Sequence, residues 1–142
     1  MKVEIREQAF DPWAELVDHQ SLLPTFGATC IFVGTMRDMN EAVRVDHMVL
    51  EHYPGMTEKH LQSICDEAEK RWELVDALVI HRVGDLYPQD PIVLVAVWAS
   101  HRKDAYEANR FIMEDLKSKA PFWKKETLEE GERWVDRNTP GY

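Results

Sequence analysis

The sequence has no apolar run approaching the ~18 residues that a membrane-spanning helix needs. Its first residues, MKVEIREQAF, contain no apolar signal-peptide core. An intracellular, cytoplasmic protein is therefore expected. Cysteine is scarce: Cys30 and Cys65 stand 35 positions apart, form no CxxC unit and sit among apolar neighbours. That argues against a disulfide framework and for two reduced, buried thiols. The histidines, at 19, 47, 52, 60, 81 and 101, show no HxxxH or HExxH spacing, so no metal site is expected. Glycine is also sparse. GTMRDMN and RVGDL hold one each and make no phosphate-cradling loop, and GxSxG does not occur. There is no repeat, no low-complexity tract and no linker dividing the chain.

What is present is a chain of 142 residues, 44% apolar and 30% charged, the profile of one globular domain spanning 1–142. The net charge of −9 is unevenly spread. Residues 1–100 hold 8 Lys+Arg against 17 Asp+Glu, whereas residues 101–142 hold 9 of each. An acidic chain repels a polyanion at long range, so nucleic acid is not an expected partner. The more basic final third leaves room for a local site for one small anion.

Periodicity gives the elements. KVEIRE alternates and predicts a strand over 2–7. Asp11 as cap and Pro12 at the first helical position predict a helix over 12–20. FGATCIFVGTM predicts a buried strand over 26–36, followed by a polar loop over 37–44 and a strand over 45–53. Leu61, Ile64, Cys65, Ala68 and Trp72 recur at helical spacing and predict a helix over 56–72. Strands over 75–83 and 91–100 flank the turn YPQD. A long helix over 102–119 has the core stripe Ala105, Ala108, Ile112 and Leu116, and Pro121 stops it. FWKKE and ERWVDR are candidate short strands. Strands joined by short turns imply mostly antiparallel pairing, hence an α+β domain with its sheet packed against helices.

The residues that could carry chemistry are cationic. Arg37 stands where a strand exits into a loop, a place for a ligand clamp or for an ordinary exposed charge. Ser100-His101-Arg102 stands at a helix start, where free N–H groups favour an anion; a capping serine with two exposed neighbours fits equally well. Lys103, Arg110 and Lys117 share one helix face, but Glu107 and Glu114 lie there too and a solvated face would look the same. Lys117 differs because it falls in the last turn, near KAPFWKK, where Lys124 can converge with it.

Several blocks, FVGTMRD, LEHYPGMTEKHL, IHRVGDL, SHRKDAYEANRFIMEDLKSKAPFWKKE and EGERWVD, together resemble the family of large, catalytic subunits of molybdopterin synthase. The likeness runs over about residues 30–137. It implies an α/β hammerhead fold and a homodimer that becomes a heterotetramer when a small ubiquitin-like sulfur carrier docks on each end. The carrier's C-terminal Gly-Gly thiocarboxylate would enter a pocket and pass sulfur to cyclic pyranopterin monophosphate, forming the dithiolene of molybdopterin, with no metal or cofactor on this subunit. By the same resemblance Lys117 and Lys124 are catalytic. Arg37, His101, Arg102, Phe32 and Met113 bind the substrate, and Phe122 and Trp123 anchor the turn that aims the lysines. Relatives can carry an arginine near the end that crosses the dimer, and Arg137 stands in that region here. The 38–44 loop lacks the glycine associated with relatives. The alternatives are a non-catalytic scaffold of the same fold that only binds the carrier, and a small nucleotide- or RNA-binding domain stacking bases on PFW.

Overall fold

The computed structural model describes residues 1–40, 42–128 and 131–135. In chain order these form β1 (Lys2–Arg6), α1 (Pro12–Gln20), β2 (Ala28–Thr35), β3 (Met39–Asn40), β4 (Val43–His52), α2 (Met56–Arg71), β5 (Leu74–Arg82), β6 (Gly84–Leu86), β7 (Pro91–Ala99), α3 (Arg102–Lys119), β8 (Phe122–Leu128) and β9 (Gly131–Trp134).

The apolar run PIVLVAVWA becomes β7, an inner strand of a four-stranded sheet ordered β1-β5-β7-β2. β1 pairs with β5 in parallel; the other two pairings are antiparallel. Alternation explains why so continuous a run is needed. Val93, Val95 and Val97 face a core with Leu61, Ala68, Ala108, Ile112 and Leu116 from α2 and α3. Leu94, Ala96 and Trp98 face the other way, against Phe10 and Leu16. Both faces are covered, so neither has a polar position.

The second sheet has the order β3-β4-β8-β9, with β6 joined to β4. Its pairings are antiparallel. The mostly antiparallel α+β reading therefore holds. The sequence reading ended a strand at 83 and placed a turn after it. Gly84, at φ +89°, takes a left-handed conformation that glycine alone adopts cheaply. The chain thus leaves the first sheet after β5 and adds three residues to the second. The expected 37–44 loop likewise contains a short hairpin, Met39 pairing with Arg44 and Asn40 with Val43. Of the expected ERWVDR strand, the described part is β9; residues 136 and 137 lie outside the described residues.

α3 carries the predicted stripe, with Ala105, Ala108, Ile112 and Leu116 buried. Asn109 is buried beside them, only 5% exposed. Its amide donates to the carbonyls of Cys30 and Val95, at 2.9 Å each, and so ties α3 to β2 and β7. Asn109→Leu removes both donors and leaves carbonyls buried, a loss of about 2 kcal/mol. Its urea midpoint should fall accordingly, whereas a surface change such as Lys103→Ala should leave it in place.

Candidate active site

Two lysines from different elements meet because of two local rules. The first is the end of α3. Lys117 lies in its last turn, the Ala120 N–H bonds back to the Leu116 carbonyl at 3.3 Å, and Pro121 cannot continue the ladder. The turn is pinned from the side by buried Thr57 at the start of α2. Its hydroxyl donates to the Pro121 carbonyl at 3.1 Å and accepts from the Tyr53 N–H at 2.9 Å.

The second rule is strand alternation. β8 pairs with β4 so that Phe122 lies opposite His52, Lys124 opposite Leu50 and Glu126 opposite Met48. Leu50 and Met48 are core residues, and cross-strand partners share a face. Lys124 and Glu126 therefore point inward, where apolar residues would ordinarily sit. Phe122 points the same way. Trp123 points out and is 47% exposed, so the expectation that both aromatics anchor the turn is corrected: only Phe122 does, because adjacent residues of a strand face opposite sides.

The inward lysines stand at the junction of two cavities. One, of about 250 Å³, is lined among others by Phe32, Arg37, Asn40, Met48 and Glu126. The other, of about 210 Å³, is lined among others by Leu50, His81, Leu116 and Phe122. Ile92, Lys117, Lys124 and Val135 belong to both. One side of the larger cavity carries a polar network. Glu126, 5% exposed, accepts from Arg133 Nε at 2.8 Å and from Asn40 Nδ2 at 3.0 Å, and Arg133 also donates to the Asn40 carbonyl at 3.1 Å. This triangle fastens β3, β8 and β9 together.

Burial is the main cause that lowers both lysines. Lys124 is brought down to about 8, by burial and then by the charge of Lys117 beside it; Glu126 pulls the other way. Lys117 is lowered by burial and by Arg37, opposed by its hydrogen bond to Lys124 and by Glu114. The two amines share a hydrogen bond and hold protons as a pair. Near neutral pH such a pair can both donate a proton and present a lone pair, which an exposed lysine cannot.

The same burial has a cost in stability. Unfolding returns Lys124 to its ordinary 10.5, so the unfolded chain binds the extra proton between about pH 8 and that value. Its contribution to stability accordingly rises with pH through that window. Lys124→Met carries no charge to bury and should raise the unfolding free energy at pH 7 by about 2 kcal/mol, and the midpoint with it, the gain shrinking as the pH passes 8. A midpoint at or below the wild-type value would contradict the assignment of Lys124 as a destabilising buried cation.

This arrangement can be set beside known proteins. The family model described as "MoaE protein" matches residues 5–119. The molybdopterin synthase catalytic subunit of Ralstonia nicotianae is 54% identical over 134 residues, covering 94% of this chain and 76% of that protein. The chain belongs to the MoaE family. Solved structures agree. The molybdopterin biosynthesis MoaE protein of Burkholderia ambifaria superposes with a TM-score of 0.83 at 50% identity, over 99% of this chain and 92% of that one. The molybdopterin synthase structure from Staphylococcus aureus gives 0.84 at 33% identity, over 94% and 96%.

Of the residues that the MoaE resemblance singled out, the chain brings four together: Phe32, Arg37, Lys117 and Lys124 all line the larger cavity. Met113 instead packs in the core, 8% exposed. His101 and Arg102 are exposed at the start of α3. Lys117 is about 22 Å away along the helix axis, at 1.5 Å per residue. Within one chain His101 and Arg102 therefore lie apart from the cavity that Arg37, Lys117 and Lys124 line. Arg137 lies outside the described residues. Sequence reading missed His81, Asn40, Glu126 and Arg133. The signal for Glu126 was available: the spacing Lys124-x-Glu126 places both on one face of any strand.

Proposed function

We propose that this chain is the catalytic subunit of a molybdopterin synthase and acts in the cytoplasm. It moves two sulfurs in turn to cyclic pyranopterin monophosphate, each from the C-terminal thiocarboxylate of a small ubiquitin-like carrier whose acyl–sulfur bond water then breaks, and leaves a dithiolene. The observation that carries this reading is the hydrogen-bonded pair Lys117–Lys124 at the junction of two cavities.

The chemistry calls for such a pair. Both reactants are anions, and Arg37 at the rim with the Lys117 ammonium supplies fixed positive charge for them. Attack by the thiocarboxylate sulfur on a substrate carbon builds negative charge on the oxygen there, which preorganised cationic donors stabilise. Loss of that oxygen needs a proton, and the lysine pair, poised near neutrality, delivers it. Two cavities meeting at the pair give separate room for an extended peptide tail and a pterin. Phe32, 41% exposed on the larger cavity, offers a ring face against which either can lie.

His101 and Arg102 enter the same reading through assembly. If they hold the substrate, they reach a site only in a neighbouring copy, so the working unit is a homodimer with a carrier on each end. Met113 then supports the cavity from beneath rather than touching substrate.

The test is reconstitution. The purified chain, mixed with thiocarboxylated carrier and the cyclic monophosphate precursor, should yield the dithiolene product, detected after oxidation by its fluorescence. Tight carrier binding without product would leave only the scaffold reading.

A further inference from the structure

Gly34 lies inside β2, and its backbone does not call for glycine. Its φ is outside the left-handed region, and glycine within a strand is otherwise unfavourable. What it supplies is space. A methyl group on its Cα would stand 2.9 Å from Val93 Cγ1, and 3.1 and 3.6 Å from Cε1 and Cζ of Phe32. The three residues share a face: Phe32 pairs with Val95 and Gly34 with Val93, and both valines face the core under α2 and α3. The tip of the Phe32 ring therefore folds along the strand and rests over Gly34.

Of these two neighbours only the ring can yield. Val93 is β-branched, 1% exposed and locked in the core. Phe32 is exposed, on the last strand of the order β1-β5-β7-β2. The pairing of β2 with β7 also shifts register just after Gly34, where Thr35 faces Pro91. The residue skipped on β7 is Ile92, which lines both cavities. Phe32, Gly34 and Val93 line the larger cavity with Lys117 and Lys124. One cavity thus joins an exposed ring at a sheet edge to the buried lysines. A group that passes the ring to reach them has to be narrow there and anionic at its end. An extended peptide tail ending in two glycines meets both demands, because it brings no side chain past the ring and carries its charge at its terminus. A broad fused-ring pterin meets only the second.

We propose that Gly34 is a positioning residue that sets access to the larger cavity: it leaves room for the Phe32 ring to lie along β2, and so keeps the cavity open to the Gly-Gly tail of the carrier. This rests on the sulfur-transfer reading for the identity of the tail. The claim itself concerns binding, so it is decided without turnover. A side chain at position 34 pushes the ring away from the strand and into the space that the tail needs.

Gly34→Ala is the smallest change that fills the space. Affinity is read by calorimetry with the carrier in its unreactive carboxylate form, beside a carrier lacking its two terminal glycines. Gly34→Ala is expected to weaken binding of the full-length carrier about tenfold and to leave binding of the truncated carrier unchanged. In the reconstituted reaction KM for the thiocarboxylated carrier should rise by a similar factor, with kcat within about twofold of wild type. In a Phe32→Ala background Gly34→Ala should weaken binding no further, because the ring it displaces is gone. If Gly34→Ala is too unstable to assay, Gly34→Ala combined with Val93→Ala removes the buried contact, keeps the one with the ring and should show the same tail-dependent loss. Unchanged affinity in Gly34→Ala would overturn the proposal, as would an equal loss for the truncated carrier or an equal loss with and without the Phe32 ring. A wild-type chain that binds the carrier and forms no dithiolene would sink the sulfur-transfer reading alone, and the affinities would still decide the role of Gly34.

Discussion

Lys117→Ala is expected to abolish dithiolene formation, lowering kcat by about a thousandfold or more, while the carrier binds with unchanged affinity. The size follows from what the residue combines. It is a half-buried ammonium next to Arg37, and it shares a hydrogen bond with Lys124. Its removal takes away both the charge facing the developing oxyanion and the partner that keeps Lys124 near neutrality. Without Lys117 the charge lowering Lys124 is gone, so Lys124 should titrate higher and supply a lone pair less often at pH 7. Lys117→Arg separates the two contributions. Arginine restores the charge but gives up no proton in this pH range, so it should rescue substrate binding and leave turnover low. Product formation by stopped assay, with carrier affinity from calorimetry, measures both. Undiminished turnover in Lys117→Ala would refute the catalytic assignment.

How far the fold could be read follows from which physical signals are local. β7 was legible because a strand covered on both faces must be apolar throughout. α3 was legible because its stripe repeats at 105, 108, 112 and 116 and Pro121 ends it. β6 was not, because three residues carry no period and the event there is one left-handed glycine. The site divides in the same way. Lys117 and Lys124 were singled out by their nearness to a helix stop. That Lys124 is buried follows only from its register with Leu50 on β4, a pairing across more than seventy residues. The triangle Asn40–Glu126–Arg133 is likewise a product of three strands meeting, and no local pattern marks it. The error over Trp123 came from treating two adjacent aromatics as one anchor, although a strand separates neighbours onto opposite faces.

Mixing two inactive variants should restore activity. Arg102→Ala is expected to lose substrate binding and Lys117→Ala to lose chemistry. The residues stand at opposite ends of α3, which runs eighteen residues without a break. One chain therefore cannot bend its own Arg102 back to its own Lys117; a second copy can present Arg102 to the cavity of the first. In a mixed dimer one cavity receives both defects and the other receives neither. Random reassortment of equal amounts should thus give about a quarter of wild-type activity from two preparations that have almost none, after refolding or co-expression to exchange subunits. The carrier should bind all of these species, since neither change touches the pinned turn at Pro121 or the wall formed by Glu126. If Arg102 served a site in its own chain, mixing would restore nothing. If it served none, Arg102→Ala alone would be active.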